Sequence, residues 1–488
     1  MPALLLFLLC FQLHATPIQQ EQIDLTVEKA MQAFQIPGAS IGICMDGKVI
    51  HMKGYGKRED GTQNAVTPDT PFAIGSCTKA FTALILAQLV EEGKASWDDP
   101  VKQYLPDFAL ADAETSKAIT LRDLIAHRTG LERHDVLWIN QKISQDEAVT
   151  LLKHLSPRYS LRQEFQYNNL MYSVAGLVIE KITGNSWEKE VQSRCFAPLG
   201  MHHSSCSIAS VPSHADCAKP HASIHSKLVM LETFDPAAIN PAGGIYSSAV
   251  DLLAWGKMHL SNNQIVLSLQ EMQMPFRNPS KWNDEIIQEG YGLGWYLGNY
   301  RGNRWVFHSG SIHGFFSDLT LLPEKKIAIV ILCNNGSEGH YFIQALRHQL
   351  VDQLLGIEDS DHLIKAETLW KNAKEQIQSV VATYDQLAGN QPSLQILNEY
   401  QGDYIHPSYG KLTVAFDNSR LTARIGTMSI PLYYQSKDVF LGKIDLLNVY
   451  GANPIFILTA KRDHEGKMTA LDVPFESFRK AEPVTFTK

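Results

Sequence analysis

The chain is short of several things. It has 488 residues but only seven cysteines, six of them beyond residue 15. That is too few to act as a disulfide scaffold for a chain of this length. One bridge among the closely spaced Cys195, Cys206 and Cys217 stays open on spacing alone. Positive charge is also scarce: 43 Lys and Arg stand against 51 Asp and Glu, a net charge of −8. With no basic surplus to neutralise phosphates, nucleic acid is excluded as the main partner. No segment reaches the roughly 20 consecutive apolar residues that a membrane span needs. Internal repeats and low-complexity tracts are missing too. What is present is ordinary globular composition, 44% hydrophobic and 19% charged, at a length that implies two or three domains.

The first residues, MPALLLFLLCFQLHATPIQQ, carry an apolar run followed by the small residue Ala15. This pattern predicts a secretory leader over 1–15 and an exported protein, periplasmic or secreted. Residues 21–34 have helical periodicity, and two strands follow, joined at Asp46-Gly47, a hairpin signal. A strong apolar helix runs from Cys77 to Glu92 and stops at Gly93. The text is mostly helical from Trp97 to about His225, with a further helix over 251–260. Strand patterns return as YGLGWYLGN, RWVFHSG, FFSDLTLLP and KIAIVILCN, and a helix over 341–355 closes the unit. The expected fold class is therefore α/β (α+β): an antiparallel sheet built from both ends of the unit, flanked by helices, with a mostly helical subdomain inserted. Its expected extent is 16–357. A helical linker over 358–394 then leads to an all-β module over 395–488, marked by KLTVAF, RLTARIG, MSIPLYY and NPIFILTA. A linker before it and no catalytic motif inside it make this module look separable.

Three short motifs can carry chemistry. In Ser76-Cys77-Thr78-Lys79 the lysine lies three residues after the serine, so on a helix the two share one face. A buried lysine loses proton affinity and becomes a base for the serine hydroxyl. The same S-x-x-K pattern occurs at Ser186, Ser408 and Ser477, but only Ser76 opens a long apolar helix. The alternative role for Ser76 is a helix N-cap. Tyr167-Asn168-Asn169 is the only Y-x-N in the chain; Tyr167 is a candidate proton carrier or a packed aromatic. His308-Ser309-Gly310 ends a strand, where glycine lets a substrate approach and where the next amide, Ser311 N–H, can join Ser76 N–H around an oxyanion.

Taken in order, spaced 91 and 141 residues apart, these motifs resemble the serine β-lactamase and penicillin-binding-protein family. The branch is that of class C β-lactamases, D,D-carboxypeptidases, D-aminopeptidases and esterases. TLRDLIAHRTGL, FQYNNLMYSVAGLVIEKITG, PAGGIYSSAVDLLAW, YGLGW and HSGSIHGFFS extend the likeness over roughly 20–356. The resemblance implies an acyl-enzyme hydrolase with Ser76 as nucleophile, Lys79 as proton acceptor and Tyr167 as acid/base. It implies that Asn169, His308, Gly310 and Ser311 meet the substrate, a small molecule or peptide, with no cofactor. His308 stands where many relatives carry the lysine of K-T-G. An imidazole of ordinary pKa near 6.5 anchors a substrate carboxylate more weakly than lysine, and does so better in acid. That departure favours an ester or peptide over a β-lactam.

Two rival readings remain. One is a catalytically silent binding protein on the same fold, although a binder has no use for Ser76, Lys79 and Tyr167 together. The other is a metal site in the polar segment holding His202, His203, Cys206, His214, Asp216, Cys217, His221 and His225. No H-E-x-x-H or clean C-x-x-C spacing supports it.

Overall fold

The structure is a computed structural model that describes residues 20–139, 142–207, 216–224, 227–358, 360–388, 392–417, 420–443, 455–475 and 482–488. The leader at 1–15, His214, His225, Ser477, Lys480 and residues 389–391 of the linker lie outside the described residues.

Helix α1 (Gln20–Ala33) leads into β1 (Gly38–Met45) and β2 (Lys48–Gly56). They are joined as expected at Asp46 and Gly47, both with positive φ (49° and 77°), as the tight hairpin turn requires. Helix α2 (Thr78–Glu91) follows a single tight turn at Gly75–Cys77 and ends at Gly93, φ 68°. The inserted region supplies α3 (Leu121–Ile125), α4 (Asn169–Thr183) and α5 (Ala249–His259). It also holds a small hairpin, His221–Ile224 with Lys227–Met230, that helical periodicity did not show.

Six strands follow: β3 (Met274–Asn283), β4 (Ile286–Tyr291), β5 (Tyr296–Tyr300), β6 (Asn303–Ile312), β7 (Phe315–Leu322) and β8 (Ile327–Cys333). β3 escaped the sequence reading because its residues, MPFRNPSKWN, are polar and proline-bearing, and most are exposed. Helix α6 (Gly339–Leu354) closes the domain. The strands form one antiparallel sheet in the order β2-β1-β8-β7-β6-β5-β4-β3, so strands from both ends of the unit meet at the β1–β8 pair, Ala39 opposite Cys333.

β8 reads IAIVILC, apolar without alternation, because both its faces are covered. Ile329 and Ile331 pack with Ile23 and Val27 of α1 and Phe342 and Leu346 of α6. Ala328, Val330 and Leu332 face Leu252 and Leu253 of α5 and the residues of α2. α2 is buried nearly all round, with Phe81 stacked on Trp255 at 3.8 Å. A helix apolar on every side belongs inside a core, and that placement carries its first turn into the interior.

Helix α7 (His362–Ala388) leads to the C-terminal module. Its strands are β9 (Gly402–His406), β10 (Gly410–Asp417), β11 (Arg420–Ile425), β12 (Met428–Ser436), β13 (Val439–Lys443), β14 (Ile455–Arg462), β15 (Met468–Val473) and β16 (Val484–Thr487). They close into an eight-stranded barrel through the β9–β16 pair, Ile405 opposite Thr487. Inward residues such as Leu412, Val414, Ile430, Phe440 and Leu471 fill it. Among the described residues, no helix is long and apolar enough to cross a membrane. Cys195, Cys206 and Cys217 are each free and buried, so the bridge left open by their spacing is not formed.

Candidate active site

The site lies where the first turn of α2 meets β6 and the start of α4. Ser76 sits in the turn before α2, whose N-cap position is Cys77, and no side chain caps either the turn or the helix. Ser76 is therefore not spent as a cap. Two glycines let the strand approach it. A Cβ on Gly75 (φ +47°) would lie 2.8 Å from Ser311 N, and one on Gly310 only 1.9 Å from Ile74 O. Two side chains pin the pair: the Cys77 thiol donates to the His308 carbonyl at 3.1 Å, and the Ser317 hydroxyl to Ile74 O at 2.7 Å. Gly310 and Ser311 thus run against the turn that presents Ser76, the arrangement needed for backbone donors from both segments.

Lys79 is completely buried. Its Nζ lies 3.2 Å from Ser76 Oγ, 2.7 Å from Asn169 Oδ1 and 3.0 Å from the Ala242 carbonyl. Burial, and then the neighbouring Arg133 charge, hold its pKa well below the ordinary lysine value. A neutral amine has two hydrogens and one lone pair. Asn169 Oδ1 and the Ala242 carbonyl can only accept, so they take the two hydrogens. The lone pair is then directed to the Ser76 hydroxyl.

Tyr167 is half-buried and precedes α4, with Nζ of Lys79 4.7 Å from its ring centre. Burial, then the adjacent Tyr296, raises its pKa well above 10, so it holds its proton near neutral pH. The nearby Ser76 hydroxyl favours the phenolate, but only as a lesser effect. It rests on His127, ring centres 4.2 Å apart. Asn168 caps α4 by accepting from Met171 N–H at 3.0 Å and fixes where Tyr167 leaves the helix.

Asn169 commits its amide inside the protein: Oδ1 to Lys79, and Nδ2 donating to Asp135 at 2.8 Å. In this structure it orients the lysine. His308 is bonded inside the protein as well. It is buried, with Nδ1 2.7 Å from the Ser309 carbonyl and Nε2 2.9 Å from the Tyr291 hydroxyl. A carbonyl only accepts, so Nδ1 carries the hydrogen and Tyr291 donates to Nε2. Burial, then Lys79, pushes its pKa down to about 3. Burial thus favours the neutral imidazole and works against the acid-strengthened carboxylate anchor expected from an ordinary histidine.

The family model described as Beta-lactamase matches residues 23–353. The chain belongs to the β-lactamase family, a family of serine hydrolases. It is 30% identical over 426 residues to a protein named Unguisins hydrolase ungD' from Aspergillus campestris, covering 83% of this chain and 79% of that one. Protein flp from Staphylococcus aureus is 30% identical over 323 residues, 65% of this chain; the chain spans 64% of that relative's length. Among solved structures, the octameric penicillin-binding protein homologue from Pyrococcus abyssi superposes with a TM-score of 0.63 at 24% identity, over 93% of this chain and 98% of that one. At that identity the likeness speaks for the fold.

Within this β-lactamase family chain two of the competing serines, Ser186 and Ser408, are engaged elsewhere. Ser186 caps a short helix by accepting from Lys189 N–H, and Ser408 donates to the Leu151 carbonyl. In the His-rich segment, Asp216 pairs with Arg58 at 2.6 Å. His221 accepts from Asp60 N–H and faces the Asn334 carbonyl. Among the described residues no three His, Cys, Asp or Glu side chains converge as metal ligands. Sequence reasoning missed Arg133, whose guanidinium lies 4.7 Å over the Tyr167 ring and pairs with Asp135. It also missed Asp135 and His127. TLRDLIAHRTGL enters the sequence reading only as part of the family likeness, and nothing in its spacing points at the Y-x-N motif.

Proposed function

We propose that this chain is an exported serine hydrolase working through an acyl-enzyme. The carrying observation is Lys79: buried, with its proton affinity held well below that of an ordinary lysine, and with Nζ 3.2 Å from Ser76 Oγ. Ser76 Oγ attacks the substrate carbonyl while its proton passes to Lys79. The amides of Ser76 and Ser311 steady the oxyanion. As the tetrahedral adduct collapses, Tyr167 gives its proton to the leaving oxygen or nitrogen and is restored from Lys79. In the second half a water loses its proton to the same pair and releases the acid.

The substrate is an ester or amide whose acyl flank carries no charge. His308, with both ring nitrogens engaged by Ser309 and Tyr291, supplies no cation to that flank. Beside it stand Phe165, Tyr291 and Tyr296, with Phe165–Tyr291 ring centres 5.5 Å apart and Tyr291–Tyr296 4.8 Å apart. One observation favours a second reading, a D,D-carboxypeptidase or class C-like β-lactamase: the Arg133 guanidinium, paired with Asp135, lies over the Tyr167 ring.

The test is Ser76→Ala with p-nitrophenyl butyrate, alongside mass spectrometry after a fluorophosphonate probe. We expect turnover to vanish and the wild-type adduct to map to the peptide containing Ser76. Turnover kept above about 1% of wild type overturns the assignment, since losing a nucleophile costs several orders of magnitude. Export is checked by sequencing the N-terminus of the protein recovered outside the cytoplasm, expected to begin just after Ala15.

A further inference from the structure

The barrel looked separable in the sequence, yet it is docked against the segment that surrounds Tyr167. Residues 129–136 form a strap after α3, irregular up to Asp135 and entering the next short helical turn at Val136. Successive strap residues alternate in what they touch. Glu132 and His134 meet the barrel; Arg133 and Asp135 meet the active site.

On the barrel side, the tip between β9 and β10 places Tyr409 OH 2.9 Å from His134 Nδ1. The next contact along is Ser408, whose hydroxyl donates to Leu151 O at 2.9 Å. At the same end of the barrel, just before β16, the Glu482 amide donates to both oxygens of the Glu132 carboxylate, at 3.3 and 3.2 Å. Arg158 ties Glu132 (2.8 Å) to Glu482 (3.3 Å). On the site side, Arg133 lies over the Tyr167 ring at 4.7 Å. Asp135 receives the Asn169 amide at 2.8 Å and the Trp138 indole N–H at 2.8 Å. The strap's Glu132 carbonyl accepts from Asn168, the cap of α4. Two residues held by the barrel therefore flank the one that covers Tyr167, and a third orients the partner of Lys79. His134 holds a left-handed backbone, φ +52°, that a non-glycine residue adopts only when its surroundings impose it.

We infer that the C-terminal barrel is a working part of the active site: Tyr409 and the Glu482 amide clamp the 129–136 strap, and through Arg133 and Asp135 the clamp positions Tyr167 and Asn169. His134 and Tyr409 are positioning residues; they touch neither substrate nor reacting atoms. The inference rests on the acyl-enzyme reading above. It replaces the view of the barrel as an appendage that can be removed without consequence.

The test is Tyr409→Phe in the full-length chain, which deletes one oxygen and leaves the ring in place. Steady-state kinetics on p-nitrophenyl butyrate are compared with Thr413→Val, which removes a bond within the barrel, Thr413 Oγ1 to Asp403 at 2.6 Å. We expect kcat to fall about fivefold in Tyr409→Phe, the worth of one hydrogen bond, with KM unchanged and Thr413→Val at the wild-type rate. Because the effect travels through Arg133, it should shrink below about twofold when Tyr409→Phe is made in an Arg133→Ala background. Wild-type kcat in Tyr409→Phe overturns the inference. So does an equal loss in Thr413→Val, or an undiminished loss in the Arg133→Ala background. Ser76→Ala keeps the two readings apart: if that variant still turns over, the acyl-enzyme assignment fails whatever Tyr409 does.

Discussion

Replacing Gly310 by alanine tests the contact on which the oxyanion geometry depends. A Cβ at 310 would stand 1.9 Å from Ile74 O and 2.5 Å from Ser317 Oγ. Real Cβ atoms do not approach other atoms closer than 3.0 Å, so β6 and the turn before Ser76 must separate by at least about 1.1 Å. The obstacle is backbone, which cannot swing aside as a flexible side chain would. A shift of about 1 Å between reacting groups costs on the order of 10²-fold in rate. Loss of one oxyanion donor costs a comparable 10²–10³-fold. We therefore expect kcat/KM for p-nitrophenyl butyrate to drop by about two orders of magnitude. Melting and circular dichroism should show a folded protein. Gly256→Ala is the comparison: its Cβ would meet the Leu319 Cδ1 atom at 3.1 Å, a side-chain end that can yield, and it should keep normal turnover. A folded Gly310→Ala enzyme within about threefold of wild type would refute the argument, showing that the Ser311 amide takes no part in the transition state.

Other expectations follow from the same geometry. Lys79→Ala and Tyr167→Phe should each lower kcat by roughly 10²–10⁴ with little change in KM; a pure KM effect for Tyr167→Phe would make it a binding residue. The lowered Lys79 pKa and raised Tyr167 pKa set the pH profile: kcat/KM rises through a limb well below the ordinary lysine value and falls only above about pH 10, the ordinary tyrosine value. A histidine whose pKa is pushed down to about 3 gains charge only below that pH. The preference for carboxylated over neutral esters should thus stay flat from about pH 8 to about pH 5, and a rise centred near pH 6.5 would show a titrating His308. Arg347→Ala should destabilise the domain by about 3–5 kcal/mol in urea unfolding. It strips the buried Asp318 carboxylate of its partner at 2.8 Å.

The clamp changes how relatives of this architecture are cut into parts. A linker rich in turn residues says only that chain can cross between two units there. It says nothing of where the second unit lands. Here the barrel lands on Glu132 and His134, so removing it exposes both and loosens the strap that carries Arg133 and Asp135.

Much was legible in the sequence, because it was local. The Asp46-Gly47 hairpin, the apolar α2, the unbroken apolar β8 and the alternating strands of the C-terminal module are short-range patterns set by backbone sterics and burial. Ser76 and Lys79 share a helix face by spacing alone, and the order of the three motifs pointed to the family. Other features needed the tertiary structure. Barrel closure depends on one pair, Ile405 with Thr487, 82 residues apart. The neutral state of His308 comes from burial beside Lys79 and from Tyr291, and the commitment of Asn169 from Asp135. None of these is written into a local window, since proton affinity and hydrogen-bond partners are decided by what the fold packs against a side chain. The sequence supplied the reactive groups; the packing decided their charge, their partners and which surface of a second domain holds them in place.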